Sequence, residues 1–431
     1  MIGTAPAPAA SVTPLRRDII GGVTTFVTMT YIVIVNPSIL ASPGTGMPFN
    51  GVLTATVLVA ASMTLAMGLY ARLPFAVAPG MGLNAFFAFT IVVQNKVPWP
   101  VALGIVFWAG VIFLLLSITP LRETVAMAIP ASLRAATAAG IGLLLTFIGL
   151  RSAGVIVSDP ATLLRLGALD HRAAFLLLGV VIAAAMMRRD HPLAFLTAIA
   201  VITALAWGLG YEHVPDQFFS RPDFSSTFLR LDIAGALKLS LLPSIVAIFF
   251  TDLFDSLSTF IGVSRAADLT ESDGRPIYLR RGLIVDAFAT LGAGLAGSSS
   301  GTAFVESIAG IRMGGRTGRA SVVTALCFLP CFFIAPLAAA IPGYATAPIL
   351  VLVGLAMFHS VADVDYRRLE ESLPAFITIV LIPLTSSITE GILWGLLLHA
   401  MLYAIVGRAR EVDGAQWVLA ALSAGLLVLQ R

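Results

Sequence analysis

Asn84, Asp252, Asp255 and Glu306 lie in stretches otherwise apolar enough to cross a bilayer. A carboxylate at the centre of a bilayer costs at least about 2.5 kcal/mol on insertion scales, so such residues face protein or a water-filled cavity and mark a substrate or ion path by default. Asp252, Asp255, Ser256 and Thr259 recur at i, i+3, i+4 and i+7, the spacing of one polar stripe on a helix. Two acids on one buried face rarely ionise together, so one is expected to hold a proton or a cation. A plainer use of the stripe is pairing with the backbone of a neighbouring helix. Asn84 offers both a donor and an acceptor, and it could instead cap the helix it begins.

Asn84 and Glu306 each follow a knot of helix-breaking residues, in AVAPGMGLNAFFAFT (76–90) and GSSSGTAFVESIAGIR (297–312). Pro74, Pro79, Gly80 and Gly82 predict an extended stretch over 75–80 and helix from about residue 82. The second segment predicts an extended 297–302 and helix from about 303, with Glu306 in its first turns. Broken backbone survives in a bilayer only where protein or an aqueous cavity satisfies it. The two half-helix N-termini would then meet near mid-membrane from opposite faces, each with free N–H groups and a positive dipole end. Matching breaks in two halves of a chain point to a transporter's binding site.

The rest of the chain supports a membrane setting. Of 431 residues, 58% are hydrophobic and 11% charged, against roughly 25% charged in soluble domains. The composition predicts an all-α polytopic membrane protein. Apolar stretches predict fourteen transmembrane spans, the first seven near 18–40, 52–71, 75–92, 100–119, 129–149, 172–187 and 193–210. The second seven lie near 239–263, 281–296, 300–312, 318–340, 345–361, 372–387 and 389–406, with spans three and ten broken. The polar stretch 211–238 divides them into a 7+7 arrangement, and an odd number per half predicts an inverted repeat. Residues 1–210 would form the first repeat, 211–238 an extracellular or periplasmic linker, 239–407 the second repeat and 408–431 a C-terminal tail. Asn84 and Glu306 are 222 positions apart, and that shift carries 18–40 onto 240–262.

Arginines including Arg16, Arg17, Arg72, Arg122, Arg275, Arg316, Arg367 and Arg408 collect on one side, which places both termini in the cytoplasm. The first 15 residues predict a flexible tail rather than a signal peptide. Trp417–Leu429 predicts a terminal interfacial helix. Cys327 and Cys331 suit packing, the Gly314–Gly318 run a tight turn, and Asp286 and Glu390 helix–helix pairing. The five histidines show no metal-ligand spacing. A formal charge of +3 gives no reason to expect nucleic acid.

The runs TTFVTMTYIVIVNPSIL (24–40), APGMGLNAFFAFT (78–90), DLFDSLSTFIGVS (252–264) and FVESIAGIRMGGRTG (304–318) resemble the AzgA-type purine permeases. These belong to the nucleobase:cation symporters, alongside the nucleobase–ascorbate transporters. The resemblance implies a core domain of spans 1–4 and 8–11 (16–120 and 238–340) and a gate domain of spans 5–7 and 12–14 (121–210 and 341–407). It also implies a homodimer in the plasma (inner) membrane, elevator-like movement, and proton-coupled uptake of adenine, guanine or hypoxanthine without a cofactor. The family's substrate-site asparagine falls on Asn84, its paired aspartates on Asp252 and Asp255, and its tenth-span glutamate on Glu306. Gly301-Thr302-Ala303 carries fewer threonines than the family's usual stretch, which leaves the preferred purine open.

A purine presents ring N–H donors beside carbonyl or imine acceptors, which carboxylates and half-helix amides complement. Glu306 and Asp252 are expected to bind the base, Asn84 and Thr302 to complete the site, and Asp255 to orient it or join Glu306 in proton coupling. Phe86, Phe87 or Phe304 could stack on the ring, a contact of about 1–3 kcal/mol in nucleic-acid systems. An anion exchanger on the same inverted fold is the rival, although three acids would repel its substrate. A membrane-embedded enzyme has no supporting motif.

Overall fold

The computed structural model describes residues 14–119, 129–266, 269–270 and 276–429. The N-terminal tail through residue 13 and the loop arginines Arg122 and Arg275 lie outside the described residues. Among the described residues, seven helical stretches are long and apolar enough to cross a membrane unaided: Pro14–Leu40, Phe49–Ala71, Trp99–Ile118, Ala131–Ser152, Leu239–Arg265, Gly343–Asp363 and Ile388–Ile405. Shorter apolar helices, among them Met81–Gln94, His171–Met187 and Ala194–Gly208, occupy further expected spans.

The first stretch is two helices, α1 (Pro14–Met29) and α2 (Ile32–Leu40). Around the break, Thr24, Thr28 and Thr30 turn their hydroxyls back onto carbonyls four residues earlier. Such back-bonding competes with the backbone ladder and bends helices. Next come α3 (Phe49–Ala66), the two-residue strand β1 (Val77–Ala78) and α4 (Met81–Ala85), which continues as a wider π-type helix through Gln94. They are followed by α5 (Trp99–Ile118), α6 (Ala131–Ser152), a small hairpin of β2 (Ile156–Asp159) and β3 (Leu163–Leu166), α7 (His171–Met187) and α8 (Ala194–Gly208).

The second half holds α9 (Leu242–Ala266), α10 (Leu279–Ala296), strand β4 (Thr302–Ala303), α11 (Ser307–Arg312) and α12 (Gly318–Phe328). It closes with α13 (Ala335–Ala339), α14 (Gly343–Phe358), α15 (Leu369–Thr385), α16 (Ile388–Ile405) and α17 (Gly414–Leu429). Helix α1 packs on α12, α5 on α10, and α6 on both α14 and α15.

The two broken segments meet each other. Strands β1 and β4 pair antiparallel in the interior, Val77 opposite Ala303 and Ala78 opposite Thr302. Backbone N–H and C=O groups removed from water must find partners, and hydroxyls complete what this short ladder leaves. The Thr64 hydroxyl accepts from Val77 N–H at 2.9 Å and donates to Val77 C=O at 3.0 Å. Ser307 Oγ accepts from Ala76 N–H at 3.0 Å, and Phe304 N–H donates to Ala76 C=O at 2.9 Å. Replacing Thr64 by Val, of similar shape, strands both Val77 groups. We expect a loss of about 1–3 kcal/mol, read as a lower melting temperature of the detergent-solubilised protein.

Helices α4 and α11 begin at Met81 and Ser307, 226 positions apart, and so are the paired Val77 and Ala303. Asn84 lies inside its half-helix, whereas Glu306 is the residue immediately before its own, equivalent to Gly80. Glu306 lies in the turns that lead into α11: Ser307, Ile308 and Ala309 N–H donate to the Phe304, Val305 and Glu306 carbonyls, and Glu306 has helical φ and ψ. Gly314 takes φ of +100° in the tight turn after α11, a conformation that disfavours a Cβ.

Candidate functional site

Glu306 stands one residue before α11 with helical φ −58° and ψ −17°, and is half-buried. Its Oε1 accepts a hydrogen bond of 2.6 Å from the Tyr31 hydroxyl. Tyr31 fills the break between α1 and α2, is 1% exposed, and packs edge-on against Phe195 of α8 with ring centroids 5.0 Å apart. Sequence reasoning missed this residue. The available signal was a tyrosine in mid-span rather than in an interfacial belt, since a buried phenol needs a partner.

The polar stripe of α9 is buried more deeply on one side than on the other. Asp252 and Ser256 are fully buried and face α10 and β4. The Thr290 hydroxyl donates to Asp252 Oδ2, the Ser256 hydroxyl donates to Asp286, and Ser256 Oγ lies 3.1 Å from Thr302 Oγ1. Asp255 and Thr259 are only half-buried, on the helix that also packs against α11. Residues four apart on a helix differ by about 40° in direction, while residues three apart differ by about 60° the other way. The four residues therefore stay within about 100° of one helix face, with Asp252 and Ser256 on its fully buried side toward α10 and β4. Asp286 does pair two helices, as expected, and it does so inside this same cluster.

Asn84 is fully buried. It does not cap its helix; the N-cap position is Gly80, and no side chain caps it. Instead Asn84 Oδ1 accepts from the Ser299 hydroxyl, across the boundary between the two broken segments, while its Nδ2 has no partner among the described residues. Asn36 of α2 repeats the device with Ser298, its Nδ2 3.1 Å from Ser298 Oγ and 2.7 Å from Thr56 Oγ1. Asn36 was also passed over, although it stands in one of the runs that carry the family resemblance. The aromatic candidates are packed away: Phe86 and Phe87 are 0% exposed and Phe304 is 7% exposed.

Both broken segments thus carry groups with hydrogen-bonding capacity: Asn84 Nδ2 can donate, and the Glu306 carboxylate, like that of Asp255 on α9, can accept. This set suits an uncharged ligand with both functions on one edge. A separate cavity of about 360 Å³ opens beside Ser132, Asp363, Arg368, Glu371, His399 and Tyr403. There the Ser132 and Tyr403 hydroxyls both donate to Glu371, tying α6, α15 and α16 together. Its lining residues include none of the groups around the broken segments, so the strand-pair cluster is the better candidate site.

Comparisons with known proteins agree with this geometry. A family model described as "Permease family" matches residues 16–394. The chain is 41% identical over 411 residues to the adenine permease AdeP of Escherichia coli strain K12, covering 95% of this chain and 92% of that protein. It is 38% identical over 419 residues to the guanine/hypoxanthine permease PbuO of Bacillus subtilis strain 168, covering 95% of this chain and 96% of that protein. Among solved structures, the transmembrane domain of a cyanobacterial bicarbonate transporter, BicA, superposes with a TM-score of 0.66 at 18% identity. That match covers 88% of this chain and 97% of the other, and it speaks to the fold alone.

Proposed function

The chain belongs to the permease family that its residues 16–394 match, as an AzgA-type relative of the nucleobase–ascorbate transporters, and on that premise we propose that it takes up purine nucleobases by proton symport. One observation carries the assignment of the site. The two broken segments pair with each other and leave the Asn84 amide and the Glu306 carboxylate at the ends of opposing half-helices. An amide donor and a carboxylate acceptor match the acceptor and N–H positions of a flat, uncharged base. The protein is a transporter and not an enzyme.

Proton coupling is supported by the company these acids keep. Thr290, Ser256 and Tyr31 offer hydroxyls to Asp252, Asp286 and Glu306. A buried carboxylate held by neutral donors rather than a cation retains an ionisation penalty of several kcal/mol, which protonation removes. Glu306, Asp255, Asp252 and Asp286 are the groups we assign to proton uptake. Fourteen crossings, cytoplasmic termini, a homodimer in the plasma membrane and elevator-like motion of a core (16–120, 238–340) past a gate (121–210, 341–407) complete the reading.

Uptake of radiolabelled adenine, guanine and hypoxanthine by cells expressing the protein, with xanthine, uracil and sulfate as competitors, tests the substrate class. Unlabelled purines are expected to compete and sulfate is not. Competition by sulfate alone would favour the anion-transporter reading, which the acids around the site oppose. A protonophore is expected to abolish accumulation, lowering it at least about tenfold, as concentrative work loses its driving gradient. Accumulation that survives the protonophore but follows external sodium would overturn proton coupling.

A further inference from the structure

Tyr31 raises a question that substrate binding leaves open: what satisfies Glu306 when no base is present. Its phenol is 1% exposed, donates to Glu306 Oε1 at 2.6 Å, and is held in place by the helix break beneath it and by Phe195 beside it. The donor comes from the first broken helix pair and the acceptor from the tenth segment, 275 positions away. A base that binds Glu306 through Oε1 brings its own N–H to the atom that the phenol now engages. We propose that Tyr31 is a stand-in for substrate: its hydroxyl occupies the Glu306 acceptor in the empty carrier, yields to a ring N–H when base binds, and returns when base leaves.

The inference rests on the base-transport reading and adds a consequence for the cycle. A carrier that delivers substrate must travel back empty, and a carboxylate without a donor is the hardest group to carry through a region shielded from water. The phenol supplies that donor on the return journey. It also competes with substrate, because occupancy of the site by Tyr31 reduces apparent affinity by the fraction of carriers left open. Affinity and empty return are therefore set in opposition by a single hydroxyl.

Tyr31→Phe removes the hydroxyl and keeps the ring on Phe195, so the comparison is made between two modes of flux in proteoliposomes. Net uptake requires empty return; exchange of labelled base against the same unlabelled base does not. We expect the variant to bind adenine, guanine or hypoxanthine, whichever the wild type transports, about three- to tenfold more tightly. We expect net uptake at saturation to fall about tenfold or more while exchange stays within about twofold of wild type.

Weaker binding would overturn the inference and make Tyr31 a direct ligand of the base. Equal loss of net uptake and exchange would overturn it too, leaving Tyr31 a packing residue. Tyr31→Leu, which also lacks the hydroxyl, serves the same comparison if the Phe variant does not fold. Wild-type protein that transports none of the three bases would instead defeat the underlying substrate assignment.

Discussion

Glu306→Gln is expected to abolish concentrative purine uptake while leaving the protein folded. The amide has the shape of the carboxylate and keeps an oxygen that can accept from the Tyr31 hydroxyl, now 2.6 Å away. It cannot take up and release a proton, and it presents a neutral acceptor where a charged one bound the ring N–H. Hydrogen bonds to charged groups contribute about 1.5–3 kcal/mol against about 0.5–1.5 for neutral ones, so affinity should fall roughly tenfold. Accumulation against a gradient should fall further, to the level of cells without the protein, because coupling is lost as well as affinity. Stability should not fall, since a charge whose burial costs free energy is exchanged for a hydrogen-bonded neutral group. Uptake under an imposed pH gradient, measured beside the melting temperature of the purified variant, separates the two effects. A Gln variant that still concentrates a purine would remove Glu306 from the site.

Gly310→Val is expected to be as damaging to transport through packing alone. Gly310 lies on α11, four residues past Glu306, where that short helix crosses α1. A Cβ there would stand 2.1 Å from Thr25 Oγ1 and 2.2 Å from the Gly21 carbonyl oxygen. A side-chain rotamer can relieve the first contact, but the second is backbone and can yield only if α1 and α11 separate. Overpacking of this kind costs typically 1–3 kcal/mol and occasionally more, which predicts a melting temperature lower by about 3 °C or more. The same separation carries Glu306 away from Tyr31 and β1, so uptake should be lost even in the fraction that stays folded. Gly262→Ala on α9, where no atom lies within 4 Å of a built Cβ, is the matched control and should remain near wild type. Normal uptake by Gly310→Val would mean that α1 and α11 do not need this contact to hold the site.

Both expectations show how unevenly the site could be read in the sequence. Glu306 was conspicuous because a carboxylate in an apolar segment has few structural uses. Gly310 was not, since nothing local distinguishes a glycine at a helix crossing from one facing lipid. Asn84 was recognised as a polar residue beyond a break, yet its alternative as a helix cap was removed only by seeing Gly80 at that position and Ser299 on its side chain. Tyr31 and Asn36 both lie in the run 24–40, whose residue types give no sign of what they meet. Their partners are Glu306 and Ser298, hundreds of residues away.

By itself, the sequence determined the class of the protein, the order of its apolar segments, the two places where helix gives way, and the acids that stand within apolar segments. Those properties are local: a bilayer demands length, apolarity and internal backbone bonding of each segment separately. The tertiary structure decided what depends on neighbours. It set β1 against β4 with Val77 opposite Ala303, sent Asp252 to Thr290, and put a phenol on the carboxylate expected to hold the base. A helix's own periodicity fixes the angles between its side chains, but which partner lies along each angle depends on how the two halves fold over one another.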